Sequence, residues 1–398
     1  MPAPLRIALF SGNYNYVRDG ANQALNRLVG YLLGQGHAVR VYSPTTQTPA
    51  FPPIGDLVCL PSYAIPKRPE YRFATGLTRK VRRDLAAFAP DIVHISAPDL
   101  AARKAISWAR RNDRAAIASI HTRFETYLSY YHLQLFEPVL RALIRSLYRK
   151  CDALLVPAES TAAVLRAQHM NHTILLWSRG VDRTLFNPVR RSLEWRRSIG
   201  LADDDIAITY LGRLVLEKGL NVFADACHQL TARGIAHKVL VIGDGPARDG
   251  FAERLPNAIF TGHQVGLDLA RALASGDIFL NASITETFGN VTLEAMACAL
   301  PVVAAAATGA TSLVQDGDTG ILVDPGDIGQ YADALERYLR DPDLRRAHGN
   351  CGLAFSETQD WDLINAAVEN AYYRVIERRV KISRPRSFKF GQRERCLP

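Results

Sequence analysis

Glu286 and Glu294 stand eight positions apart in TETFGNVTLEAMA, residues 285–297. The segment opens polar, passes through Phe288, Gly289 and Asn290, and continues as an apolar helical run. Gly289 and Asn290 fall at the expected helix start, whose free backbone N–H groups can hold a phosphate. Glu286, one turn earlier, projects toward whatever that phosphate carries. Glu294 reaches a different part of the same ligand. Ionised carboxylates only accept hydrogen bonds, which suits sugar hydroxyls. The plain alternative is one acid favouring the helix dipole and another on a solvated face. It weakens for Glu294, because LEAMACALPVV around it is otherwise apolar and a lone acid in a buried helix is costly.

A second pair of charges lies in GRLVLEKG, residues 212–219. Gly212 permits a tight turn after a strand. Arg213 can fork onto two oxygens and Lys218 supplies a compact charge, a combination suited to a diphosphate. Taken alone, the segment reads equally well as a solvated loop. His121 ends a candidate strand ahead of TRFETYLSYY. It faces either a cleft or a core in which it is hydrogen-bonded. Asp19 and Gly20 lie in the first strand-to-helix loop, facing the same cleft or simply starting the helix. Neither VLVIGDGP, 239–246, nor GNYNYVRDG, 12–20, is a GxGxxG turn, which disfavours a dinucleotide dehydrogenase. The GDGP glycines read as a structural turn that shapes a cleft wall.

Regular elements must position these residues. Short apolar runs at 6–11, 38–43, 91–95, 116–121 and 153–157 read as strands, as do 206–211, 238–242, 258–261, 278–281 and 301–305. Amphipathic helical patterns fall between them at 21–35, 78–88, 136–150, 220–233, 267–274 and 292–299. This alternation predicts an α/β protein with parallel sheets covered on both faces. RIALFSG near the start and AITYLGR at 207–213 share a role, a first strand ending in a glycine turn, so the pattern restarts. WSRGVDRTLFNPVRRSLEW between them has no clear period and predicts a linker near 178–190. The expectation is two Rossmann-like doubly wound domains, 1–178 and 179–364, facing a central cleft with the carboxyl ends of their strands. A last helix, 361–380, and a basic tail make up 365–398. The basic end of that helix matches the first domain's charge, which predicts that it crosses back to pack there.

The chain has 398 residues, 48% hydrophobic and 22% charged, enough for a large core and about two or three domains, and not a disordered composition. No run of about 18 uncharged apolar residues occurs, so no transmembrane helix is expected. The apolar run 7–10 lacks a full signal-peptide core and a cleavage site, and reads as a first strand. Cys59, Cys151, Cys227, Cys298, Cys351 and Cys396 form no CxxC pair, so neither a metal site nor a disulfide framework is expected. They read as mostly reduced, buried thiols in the cytosol. The sequons at Asn171, Asn281 and Asn290 are then chance matches.

The net charge of +9 divides unevenly: +11 over 1–178, −8 over 179–364 and +6 over 365–398. Such asymmetry points to different partners for the two halves. Segments 67–85 and 139–150 mix Arg and Lys with Tyr, Phe, Leu and Ile, the composition of an interfacial segment on anionic lipid. Residues 374–395 add more positive charge. An ordinary solvated basic face is the alternative. No nucleic-acid-binding module is recognised, and no nucleic acid is expected as a partner.

The glycine loop after the first strand, His121, GRLVLEKG, GDGP and the Glu286/Glu294 pair run in this order along nearly the whole chain. Each motif alone is unspecific. The ordered set resembles the retaining glycosyltransferases of glycosyltransferase family 4, which have the GT-B fold. HTRFETYLSYY and WSRGVDRTLFNP look most like the branch that holds sulfoquinovosyl-diacylglycerol synthases and α-mannosyltransferases acting on lipids. The resemblance implies transfer of a hexose or hexuronic acid from a UDP- or GDP-linked donor to a membrane lipid acceptor. It implies no metal or other cofactor, and a peripheral enzyme on the inner face of the cytoplasmic membrane.

The resemblance also implies roles. Arg213 and Lys218 bind the donor diphosphate, Glu294 the ribose hydroxyls and Glu286 hydroxyls of the transferred sugar. Phe288, Gly289 and Asn290 pack around sugar and phosphate, His121 lies beside the anomeric centre, and Gly20 lets the first loop approach the diphosphate. The first domain takes the acceptor side and the second binds the nucleotide sugar. One departure is YVRDGAN, where many relatives carry two adjacent glycines, which leaves the roles of Arg18 and Asp19 open. No carboxylate nucleophile emerges, and the family is thought to react on one sugar face, the leaving phosphate helping to deprotonate the acceptor. Three alternatives stand: a soluble or polysaccharide acceptor, a sugar-nucleotide epimerase, and a non-catalytic nucleotide-sugar binder. The epimerase would need further acid/base residues in the cleft. The binder is disfavoured by the presence of all four charges.

Overall fold

The computed structural model describes residues 3–17, 19–65, 68–122 and 134–383. In the first half, β1 (Arg6–Phe10), β2 (Ala38–Ser43) and β3 (Asp56–Cys59) are followed by an antiparallel hairpin, β4 (Ser62–Ile65) with β5 (Arg68–Ala74). Then come β6 (Ile92–Ile95), β7 (Ala115–Ser119), β8 (Ala153–Val156) and β9 (Ile174–Leu176). Without the hairpin they form one parallel sheet in the order β3-β2-β1-β6-β7-β8-β9. The second half contributes β10 (Ala207–Leu211), β11 (Lys238–Ile242), β12 (Ile259–Phe260), β13 (Ile278–Asn281), β14 (Val302–Ala305) and β15 (Gly320–Val323). These give a second parallel sheet, β12-β11-β10-β13-β14-β15.

The central strands are short apolar runs with every residue buried: IVHI, AAIAS, ALLV, IFLN and VVAA. That is the pattern of parallel strands covered by helices on both faces. Side chains alternate across each sheet. Ala8 and Phe10 join one core and Ile7 and Leu9 another; Ile208 and Tyr210 likewise part from Ala207. Both sheets reverse strand order at their first strand, β1 between β2 and β6, β10 between β11 and β13. Ligands of such sheets bind outside the carboxyl ends at this reversal. The loops that leave β1, β10 and β13 carry residues 11–19, 212–219 and 282–289.

The helix Trp361–Ser383 lies on the first sheet. Its Val368, Ala371, Tyr372 and Val375 share a core with Ile7, Leu9, Ile117 and Trp177. Glu369 accepts from the Tyr31 hydroxyl at 3.1 Å and meets His37 Nε2 at 3.0 Å. Arg379 pairs with Asp113 at 3.1 Å and Asp152 at 3.0 Å.

Several elements differ from the sequence expectation. β3, β9, β15 and the hairpin are not among the expected strands, nor are the helices Leu100–Arg111, Glu159–Ala167, Ile328–Arg340 and Pro342–Glu357 among the expected helices. β7 ends at Ser119, so His121 lies two residues beyond the strand. The helix expected from 292 starts at Asn290, with Gly289 as its cap. The stretch 178–190 holds only a short 3-10 turn, Pro188–Arg190. Of the described cysteines, Cys151, Cys227 and Cys298 are buried free thiols, while Cys59 is exposed. Arg18, the segment 123–133 and the tail beyond 383 lie outside the described residues.

Candidate active site

The loop holding Arg213 is shaped by the turn beside it. The Gly212 N–H donates to the Ile242 carbonyl at 3.1 Å and the Leu214 N–H to the Asp244 carbonyl at 2.9 Å. A Cβ on Gly243 would sit 2.0 Å from the Gly212 oxygen, and one on Gly245 2.4 Å from the Leu214 oxygen. The two turns therefore cross with backbone against backbone. GDGP is structural, and its function is to support the GRLVLEKG loop. The Tyr210 hydroxyl donates to the Arg213 carbonyl at 3.0 Å.

Lys218 meets the loop after β13. Its Nζ is 2.5 Å from Glu286 Oε1. Thr285 Oγ1 donates to the Glu217 carbonyl at 3.2 Å and ties the two loops together. Gly289 follows at φ +100°, a left-handed conformation that glycine adopts without strain, and opens the helix Asn290–Ala297. Phe288 is buried with Leu293 and with Ala158 of the first domain. Glu294, half-buried in that helix, has its carboxyl pushed up by burial to about 8, against the opposing pull of Arg27. Arg27, on the helix Gly20–Gly34, also pairs with Asp182 at 3.3 Å.

The first loop reaches across to this group. A Cβ on Gly20 would lie 2.2 Å from Asn290 Nδ2, so only a hydrogen fits between the chains. Asp19 caps the first helix, accepting the Asn22 N–H at 2.9 Å. Burial raises its carboxyl above the usual range, while three hydrogen bonds and the charge of Arg213 pull the other way. Asp19 is thus a helix cap within electrostatic reach of Arg213.

His121 sits on the first domain's side. Arg179 Nη2 donates to His121 Nδ1 at 3.0 Å, and His121 Nε2 is 2.8 Å from Ser119 Oγ. The imidazole packs edge-on against Trp177, with ring centroids 5.4 Å apart. Burial, then the charge of Arg179 and the neighbouring His94, hold its pKa well below the ordinary value. The His121 carbonyl accepts from Thr287 Oγ1 at 2.8 Å, and the Thr287 carbonyl accepts from Thr161 Oγ1 at 3.0 Å. Ser160 Oγ takes the Gly309 N–H at 3.2 Å and the Ser312 hydroxyl at 2.8 Å. The residue next to Glu286 is therefore held from the opposite domain on two sides.

The structure brings Arg213, Lys218, Glu286, Phe288, Gly289, Asn290, Glu294, Gly20 and His121 to the loops around one cleft. Sequence reasoning missed Arg179, Thr287, Thr161 and Ser160. Arg179 lies in WSRGVD, a stretch without period, where no local pattern marks a contact 58 residues away. Among the described residues, no group of three His, Cys, Asp or Glu is placed to hold a metal ion. Two cations and a helix start between two carboxylates can bind a polyhydroxylated diphosphate.

Residues 18–185 match the family described as Glycosyltransferase Family 4, and residues 205–341 match Glycosyl transferases group 1. The chain is 30% identical over 380 residues to sulfoquinovosyl transferase SQD2 of Arabidopsis thaliana, covering 93% of this chain and 74% of that protein. It is 28% identical over 380 residues to a GDP-mannose-dependent α-mannosyltransferase of Corynebacterium glutamicum, covering 94% and 90%. Sucrose-phosphate synthase from Thermosynechococcus elongatus superimposes with a TM-score of 0.76 at 21% identity, over 94% of this chain and 99% of that one. The chain belongs to glycosyltransferase family 4, with the GT-B fold. It is a glycosyltransferase of the branch that includes the plant sulfoquinovosyl transferase and the bacterial α-mannosyltransferases.

Proposed function

We propose that the protein transfers a hexose or hexuronic acid, with retention and without a metal, from a UDP- or GDP-linked donor to a membrane lipid. The observation that carries the donor reading is the Lys218–Glu286 pair beside the Gly289 helix start, with Glu294 two turns further on. The donor diphosphate takes Lys218, Arg213 and the free N–H groups of the helix. Glu286 is then released to accept from sugar hydroxyls, and Glu294 from the ribose. Breaking the anomeric C–O bond builds negative charge on the diphosphate and positive charge on the sugar. Fixed cations and backbone dipoles aimed at the leaving group lower that barrier without reorganising. The leaving phosphate helps to deprotonate the acceptor on the same sugar face. Glu286 positions the donor and forms no covalent intermediate.

The lipid reading is supported by the relatives' names and by one face of the first domain. The helices Arg79–Phe88, Leu100–Arg111 and Glu137–Tyr148 share one core and so cover the same face of the first sheet. They expose Arg79, Lys80, Arg82, Arg83, Arg103 and Lys104, and Arg149 is exposed just past the last of them. Beside these charges Leu135, Phe136, Val139 and Leu143 are also exposed, a cationic and apolar surface of the kind that lies on anionic lipid. No helix among the described residues is long and apolar enough to cross a membrane. This fits a peripheral enzyme on the inner face of the cytoplasmic membrane. A panel of UDP- and GDP-sugars incubated with membrane lipid extract, with products read by mass spectrometry, tests donor and acceptor together. A sugar-bearing lipid from one donor is the expected product, and transfer to soluble acceptors alone would remove the lipid from the proposal. Liposome flotation tests the surface: failure to bind anionic vesicles at moderate salt would end the membrane claim.

A further inference from the structure

We propose that Arg179 is a positioning residue that keeps His121 a neutral imidazole with its single proton on Nε2, so that this ring takes no part in proton transfer. The argument begins with donor and acceptor inventories. A guanidinium has five N–H donors and no acceptor, so the 3.0 Å contact places a lone pair, not a proton, on His121 Nδ1. The neutral ring must then carry its hydrogen on Nε2, where Ser119 Oγ accepts it at 2.8 Å. Both ring nitrogens are occupied by protein partners, and a second proton could enter only at Nδ1, directly against a cation.

Arg179 is built to stay where it is. It is 4% exposed, and Nη1 donates to the Trp177 carbonyl at 2.6 Å and the Ser178 carbonyl at 2.9 Å. Its guanidinium lies 4.6 Å from the Trp177 ring centroid, a cation–π contact. Among the described residues no carboxylate pairs with it, so its charge is not cancelled before it reaches the imidazole. Among the described residues, the groups facing His121 are Ser119 on β7, His94 on β6, Trp177 and Arg179 after β9, and Thr287 from the second domain. His94 is itself held neutral by burial, its pKa lowered to about 3, with Nδ1 2.7 Å from the Tyr372 hydroxyl. None of these groups favours an imidazolium.

The consequence for catalysis rests on the proposed place of His121 beside the anomeric centre. A titrating histidine there would put a second positive charge next to a sugar that is itself becoming cationic. Fixing the ring neutral removes that pH-dependent penalty. His121 then works through its shape and through the carbonyl that holds Thr287.

The test has two arms. In the full chain labelled with ¹⁵N-histidine, long-range ¹H–¹⁵N spectra identify the His121 tautomer, assigned by loss of the signal in His121→Gln. The expected result is an Nε2–H pattern unchanged from pH 5 to 8. A signal that titrates near the ordinary histidine value of about 6.5, or that shows the Nδ1–H form, overturns the proposal. This arm needs no Arg179 variant and no activity. In the second arm, Arg179→Met removes the cation but leaves the burial, so His121 should titrate at a higher pH than in wild type, and kcat/KM should fall about tenfold per pH unit below that new value, where wild type stays flat. Arg179→Gln, which keeps a neutral N–H donor for Nδ1, should restore most of the flat profile. A His121 signal in Arg179→Met that keeps the Nε2–H form and titrates no higher than in wild type would also overturn the proposal. A fixed tautomer with no change in profile would instead move His121 away from the reacting centre, and so count against the functional reading alone.

Discussion

Around Lys218 and the start of the helix Asn290–Ala297, charge answers charge. Lys218 lies 2.5 Å from Glu286, and Arg213 and Arg27 exert their charge on Asp19 and Glu294. Around His121, the partners of Arg179 and His121 among the described residues are each other, carbonyls, hydroxyls and aromatic rings. An ion pair between two loops is an arrangement that an incoming anion can part, because a phosphate offers the lysine more than one carboxylate oxygen does. A buried cation wedged among carbonyls offers no such exchange. On the proposed reading of the site, one wall rearranges around the donor and the other remains unchanged while this happens.

Removing either partner of the exchangeable pair should do the most damage. Glu286→Ala and Lys218→Ala should each reduce transfer by about 10² to 10³, the usual cost of losing one preorganised electrostatic contact, with melting curves still cooperative. Wild-type turnover in both would sink the donor assignment. The link between the walls comes next. Thr287→Val deletes the hydroxyl bond to the His121 carbonyl, and one such bond is about 1 kcal/mol, or roughly fivefold. The loss should appear in kcat more than in donor KM and should be recovered by Thr287→Ser. An unchanged kcat would mean that the two walls do not act together.

A subtler probe is Gly20→Ala, which places a methyl where Asn290 Nδ2 now lies and forces that amide aside. Donor KM should rise with little change in kcat. A lower KM would show that the close approach is not part of the bound state. The smallest effect is on stability. Glu294 has a raised pKa when folded, so between its ordinary value and about 8 the folded chain holds a proton that the unfolded chain has lost. Its contribution to stability therefore falls as pH rises through that window. Calorimetry should find that Tm falls less steeply from pH 6 to 9 in Glu294→Gln than in wild type, and equal slopes would contradict the burial.

The exchangeable wall was legible in the sequence and the fixed wall was not. Arg213 with Lys218, and Glu286 with Glu294, each lie within one strand–loop–helix segment, where turn chemistry and helix period place them. Contacts of the fixed wall join residues 58 and 166 positions apart, His121 with Arg179 and with Thr287, and no local pattern encodes them. The same distinction holds for the elements. Central strands announced themselves as apolar runs because helices cover both faces. β3, β9 and β15 are sheet edges of three or four residues, too short to show a period, and β3 and β9 are only partly buried. The helix Leu100–Arg111 buries Ala101, Ala102, Ala105, Ile106 and Ala109 along one face, and the sequence reading did not identify it.

The helix Trp361–Ser383 has a consequence for the birth of the protein. The chain passes between the domains twice, and the two passages touch: the Val181 N–H donates to the Gln359 carbonyl at 3.2 Å, and Ser178 Oγ meets Gln359 Oε1 at 3.3 Å. Domains generally fold as units as they leave the ribosome, the earlier ones first. Here the first domain cannot close until the helix Trp361–Ser383 has been delivered, since Val368 and Tyr372 complete the core around Ile7 and Leu9. The order in which the two domains are made is thus reversed in the order of completion. The second domain can mature first, while an apolar flank of the first waits, uncovered, until residues 361–383 have followed.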